Sequence, residues 1–102
     1  MHVDVTVDDS GEALLLRADI VRIPEGLFEP FYRHLLVLND ESAGPFRLGI
    51  RDGAVVLSAF EPVPSIDAAT FPRRVALFVR ALERYQESLG RFFGAEPAEG
   101  LG

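Results

Sequence analysis

Asp52-Gly53 limits this fold more than any other pair of residues in the chain. It stands between two β-forming runs, Phe46 to Arg51 and Ala54 to Phe60. It supplies the positive φ angles that a two-residue type I′ hairpin turn requires. Such a turn sets the register of the hairpin: Arg51 faces Ala54, Ile50 faces Val55 and Leu48 faces Leu57. Phe46, Leu48, Ile50, Val55, Leu57 and Ala59 then share one side, expected to be the core side. Arg47, Gly49, Arg51, Ala54, Val56, Ser58 and Phe60 take the other.

The remaining elements follow from hydrophobic period. His2 to Asp8 alternates, with Val3, Val5 and Val7 on one side, and predicts a half-buried strand. Asp9-Ser10-Gly11 is rich in turn formers. Ala13 to Ile23 reads as a second strand whose core side changes from Leu14 and Leu16 to Val21 and Ile23, which predicts a bulge near Ala18-Asp19. The short connection makes this pair antiparallel. After Pro24-Glu25-Gly26 the period becomes helical: Leu27, Phe31, Leu35 and Leu38 form one stripe, with Phe28 beside it and regular helix expected from about Glu29. Asn39 to Pro45 reads as a loop. A longer helix carries Phe71, Val75, Phe78, Leu82, Tyr85 and Leu89 on a single stripe. Asp67 or Thr70 is its expected cap, with Thr70 preferred because Pro72 then removes no helical hydrogen bond. Gly94 closes it. Residues 1–94 thus read as one α+β domain, order β-β-α-β-β-α, an antiparallel sheet with helices packed on one face. Residues 95–102 are expected to be a disordered polar tail.

Composition narrows the function classes. A chain of 102 residues with 48% hydrophobic residues and eight Phe has the material for one core. There is no cysteine, so disulfides, thiolate metal sites and a Cys nucleophile are excluded. The N-terminus lacks the pattern of a secretory signal, and no apolar run approaches the roughly 20 residues that span a bilayer. A cytoplasmic protein is expected. The net charge of −6 argues against a nucleic-acid partner. All ten basic residues are Arg.

Catalytic patterns are sparse. His2 is terminal and His34 stands alone on a helix edge, where metal sites want clusters. No Gly-rich phosphate loop and no GxSxG elbow occurs. Asp8, Asp9 and Glu12 read as a solvated turn rather than a divalent-ion site, and Asp40 with Glu41 as a soluble loop. No catalytic residue, cofactor or metal is assigned, and the chain reads as a non-enzyme. What remains is surface. Val56 and Phe60 among Arg47 and Arg51 suit a protein-binding patch. Tyr32, Leu36 and Val37 lie off the stripe of the first helix and form a second one.

From Ala13 to Leu89 the chain resembles the YbjN-like and type III secretion chaperone-like superfamily. The carrying residues are the helix end Leu35-Leu36-Val37-Leu38-Asn39, the hairpin from Pro45 to Leu57, and Glu61-Pro62-Val63-Pro64 leading into the helix with Phe71, Phe78, Leu82 and Tyr85. The resemblance implies a small cytoplasmic homodimer that holds a protein client on its sheet and helices. It places dimer contacts on the middle helix and the next strand, here Tyr32, Leu36 and Val37 with Arg47, Gly49 and Arg51. The family fold opens with a helix, whereas this sequence opens on a strand. The cover that helix gives is therefore expected to be dispensed with or to come from a second subunit.

Two other readings compete. One is a small-molecule or metal-dependent enzyme, which needs a pocket between sheet and helices lined by His34, Asp40 or an Arg. The other is a structural subunit whose whole apolar excess is oligomer interface.

Overall fold

Asp52 and Gly53 adopt φ angles of 52° and 79°, the left-handed pair that a type I′ turn demands. The hairpin they close has the expected register, Arg51 to Ala54, Ile50 to Val55 and Leu48 to Leu57. The computed structural model describes residues 3–7, 11, 13–26, 28–41, 46–62 and 69–98. They form β1 (Asp4–Val7), β2 (Ala13–Arg22), α1 (Phe28–Glu41), β3 (Phe46–Arg51), β4 (Ala54–Pro62) and α2 (Thr70–Phe93), the α+β order read from the sequence. The four strands make one antiparallel sheet in the order β1-β2-β4-β3. The two hairpins therefore join through β2 and β4, and β1 and β3 are the edges.

The core lies on one side of the sheet. Leu16, Ala18, Ile20 and Val21 of β2, Leu48 of β3, and Val55, Leu57 and Ala59 of β4 meet Phe31 and Leu35 of α1 and Phe78, Leu82, Tyr85 and Leu89 of α2. Edge-on ring pairs lock the layers: Phe31 against Phe93 at 5.1 Å joins the helices, and Phe46 against Phe78 at 5.7 Å joins the hairpin to α2. Each buried Leu or Phe contributes about 1.5–3 kcal/mol. The exposed ion pairs Arg33–Glu29 and Arg91–Glu87 belong to a class worth about 0–1 kcal/mol. Apolar burial, not surface charge, seats the helices.

The structure refines or corrects several expectations. The bulge expected near Ala18-Asp19 is present, between Asp19 and Val21: Asp19 pairs with Val56 and Val21 with Val55. The extra residue lets Ile20 and Val21 both reach the core, where each is fully buried. Val5 and Val7 do sit on the core side, opposite Leu16 and Leu14, but they are 47% and 59% exposed. Neither helix reaches over the β1 edge to cover them. Ile50, beside the turn at the end of β3, is exposed as well. α1 begins at Phe28 and runs on to Glu41, past the expected loop start at Asn39.

α2 is capped by Ala69, which has helical dihedrals and makes no side-chain cap bond. Thr70 is already the first helical residue and so is not the cap; a side-chain cap needs an extended backbone at that position. Asp67, the other candidate, lies outside the described residues, as do Asp8, Asp9, Glu12 and Leu27. At the far end Gly94 turns left-handed, φ 66°, and its N–H donates to the Gly90 carbonyl at 2.9 Å. The chain then reverses along β2. Arg22 N–H donates to the Glu96 carbonyl at 2.8 Å, and Ala98 N–H to the Ile20 carbonyl at 3.0 Å. Ala95 to Ala98, assigned to a disordered tail by composition, are thus hydrogen-bonded, and both alanines are buried. They occupy the stretch of β2 that β1 leaves open, since β1 pairs only with Leu14 to Arg17. Among the described residues no helix is long and apolar enough to cross a membrane.

Candidate protein-binding surface

The side of the sheet away from the helices is built row by row from the register. Thr6, Leu15 and Phe60 form one row across β1, β2 and β4. Asp4, Arg17, Ser58 and Arg47 form the next, and Asp19, Val56 and Gly49 the one after. Arg51 stands beyond, opposite Ala54. Phe60 is 64% exposed and Arg47, Gly49 and Arg51 are also exposed. Open space surrounds the position a Gly49 Cβ would take, so the sheet is flat there.

Val56 departs from the expectation of an exposed anchor: it is only 6% exposed. The cause is a bridge between the flanking strands. Arg51 of β3 reaches Asp19 of β2 at 3.4 Å, and Asp19 is the register partner of Val56, so the pair spans the row in which Val56 sits. Val56 is therefore a floor beneath two charged side chains. Leu15, half-buried beside Phe60, supplies apolar surface that the sequence reading passed over. The alternation that sends Leu14 and Leu16 inward was the available signal.

The second surface is the outer side of α1. Phe28, Tyr32, Leu36 and Val37 are exposed there, Leu36 at 70%, and the Phe28 and Tyr32 rings stack at 6.2 Å. Asn39 sets this helix against the β3 edge. Arg51 and Ala54 close the turn as a hydrogen-bonded pair, so by alternation Leu48 turns its N–H and C=O away from β4. The Asn39 side chain takes both: its Oδ1 accepts from the Leu48 N–H at 2.7 Å, and its Nδ2 donates to the Leu48 carbonyl at 2.9 Å. One amide thereby plugs the middle of an open sheet edge, which such edges require. Tyr32, Leu36 and Val37 come to lie on the element next to Arg47, Gly49 and Arg51.

Titratable groups gather elsewhere. An open cavity of about 750 Å³ lies between the hairpin turn, the β2–α1 connection and the C-terminal strap, lined by Asp19, Arg22, Glu25, Asp52 and Glu96 among others. His34 and Asp40 are not in it. His34 packs beside Phe92 and Phe93, and its Nε2 is buried without a hydrogen-bond partner. Among the described residues no group of three or more His, Asp or Glu is placed to hold a metal. Glu61 is the one buried carboxylate among them, on the core side of β4, and Arg74 of α2 reaches it at 3.5 Å. It ties α2 to the central strand.

No family model matches the sequence, and no curated protein matches it. Solved structures do. A chain of the heterodimeric ExoU–SpcU complex from the type III secretion system of Pseudomonas aeruginosa superposes with a TM-score of 0.58 at 23% identity, covering 74% of this chain and 65% of that one. A chain of the ExsC–ExsE complex superposes with a TM-score of 0.63 at 22% identity, covering 83% of this chain and 74% of that one. The chain thus spans about two thirds to three quarters of these structures. Its fold is type III secretion chaperone-like.

Proposed function

We propose that this chain is a non-enzymatic, chaperone-like protein-binding module that works in the cytoplasm as a homodimer. It holds a protein partner on the outer sheet face or by adding a strand at a sheet edge. The observation that carries this reading is the uncovered outer face: Phe60 and Leu15 form an apolar centre beside Arg47 and Arg51, with both helices packed on the opposite side. Aromatic and Arg side chains are the usual anchors of protein interfaces. Both similar structures are complexes of two proteins, which favours a protein partner over a small substrate. The dimer contact proposed is Tyr32, Leu36 and Val37 with Gly49.

Photo-cross-linking tests the partner face. A photoreactive amino acid at position 60 is expected to trap a partner in native lysate, and the same group at Glu25, exposed in the β2–α1 connection, is not. Phe60→Asp with Leu15→Asp is expected to leave the circular dichroism unchanged and abolish capture. Trapping at Glu25 but not at position 60, in a folded protein, would remove the sheet face from the reading.

A further inference from the structure

The exposed flank of α2 has a charge pattern that helix stability does not explain. Arg73, Leu77, Arg80 and Arg84 follow spacings of 4, 3 and 4, which puts them on one side of the helix. All four are exposed, Leu77 at 53%. At 1.5 Å per residue the row is about 16 Å long. It lies away from the core stripe of Phe78, Leu82, Tyr85 and Leu89.

Bulk composition does not produce this row. α2 carries five arginines against two glutamates, net +3, in a chain of −6, so the rest of the chain sums to −9. Nor is the row neutralised within the fold. Arg91 engages Glu87 and Arg74 engages Glu61, but Arg73 and Arg80 have no carboxylate partner among the described residues, and Arg84 lies 5.8 Å from the Tyr85 ring. Arg80 and Arg84 are like charges one turn apart, which repel. Arg73 stands in a first turn that has no acidic residue, where the helix dipole disfavours a cation. Sites that break several local rules at once are where function is expected.

We infer that the Arg73–Leu77–Arg80–Arg84 flank of α2 docks an acidic amphipathic segment of a protein partner, its carboxylates meeting the arginines and an apolar side chain meeting Leu77. Guanidinium groups pair with carboxylates bidentately. A polyphosphate suits the flank less well, because the row has an apolar centre at Leu77 that a phosphate chain cannot meet. The flank is distinct from the outer sheet face and does not depend on that face binding anything.

The test uses the full chain and a labelled synthetic helical peptide with Glu and Leu at matching spacing, read by fluorescence anisotropy. The Glu peptide is expected to bind at least about tenfold more tightly than its Gln counterpart and to weaken as salt rises. Arg80→Gln with Arg84→Gln is expected to remove that preference, and Leu77→Asn to weaken binding further. The control pair Arg22→Gln with Arg33→Gln, and Phe60→Asp on the sheet face, are expected to leave it unchanged. Equal binding of the Glu and Gln peptides, or an equal loss in the control pair, overturns the proposal. So does a single-stranded oligonucleotide that displaces the peptide at lower concentration, which would assign the flank to nucleic acid.

Discussion

Asn39 shows how much one side chain does here. Its amide offers a donor and an acceptor to the two Leu48 groups that face the open edge. Asn39→Asp keeps the acceptor, loses the donor and turns a carboxylate towards the Leu48 carbonyl. The loss is expected to be about 1–3 kcal/mol. At about 4–8 °C per kcal/mol for a domain of this size, thermal melting should register it clearly. An unchanged melting temperature would mean that the plug contributes nothing. Tyr85 gives a second prediction. Burial raises its hydroxyl above the usual 10.0, and the Arg84 guanidinium offsets this only in part. In the unfolded chain the same phenol ionises near 10, so the unfolded state loses its proton first. Folding stability is therefore fully present below pH 10 and falls as pH rises through and above it. The chain has no Lys and no Cys, so neither of those side chains adds a titration between about pH 9 and 11. Urea midpoints across that range should fall less steeply in Tyr85→Phe than in the parent.

Among the elements, α1 has two sides with different duties. Phe31 and Leu35 are buried, while Phe28, Tyr32, Leu36 and Val37 face out. Helical period separated Phe31 and Leu35 from Tyr32, Leu36 and Val37 in advance, because both stripes are properties of a single helix; Phe28, expected beside the core stripe, faces out instead. If the outer stripe is the dimer contact, Leu36→Asp places a charge in it and is expected to halve the mass measured by light scattering, with the helix content unchanged. A parent chain that is already monomeric at working concentration would withdraw the homodimer. β1 is the contrasting case. Its alternation was legible, but its burial was not: Val5 and Val7 have the right parity and no helix above them. Period shows which side chains share a face. It does not show whether another layer reaches that face.

For the molecule as a whole, the layers divide the surface into unlike parts. The helices cover one side of the sheet from β2 to β3 and leave the other bare. Positive charge gathers on α2 while the rest of the chain is acidic. The C-terminal strap from Ala95 to Ala98 closes the part of β2 that β1 leaves open. Of the candidate binding residues, Phe60, Arg47 and Arg51 are exposed as the register implied. Val56 was misplaced in depth though not in face, because Arg51 and Asp19 meet across its row from strands 32 residues apart in sequence. By period the arginines of α2 fall off the core stripe, but the lack of a carboxylate partner for Arg73 and Arg80 among the described residues needed the folded surroundings.

What the sequence determined alone is whatever depends on neighbours along the chain. The Asp52-Gly53 turn and its register, the order of strands and helices, the core stripe of α2 and the glycine that ends it all follow from local dihedral preference and hydrophobic period. What the tertiary structure decided depends on residues far apart in the chain. It decided how far the helices reach over the edges, what shields Val56, and where the strap after Gly94 lies. Those outcomes are competitions for burial and for backbone hydrogen bonds between distant segments, and no short window of sequence contains both competitors.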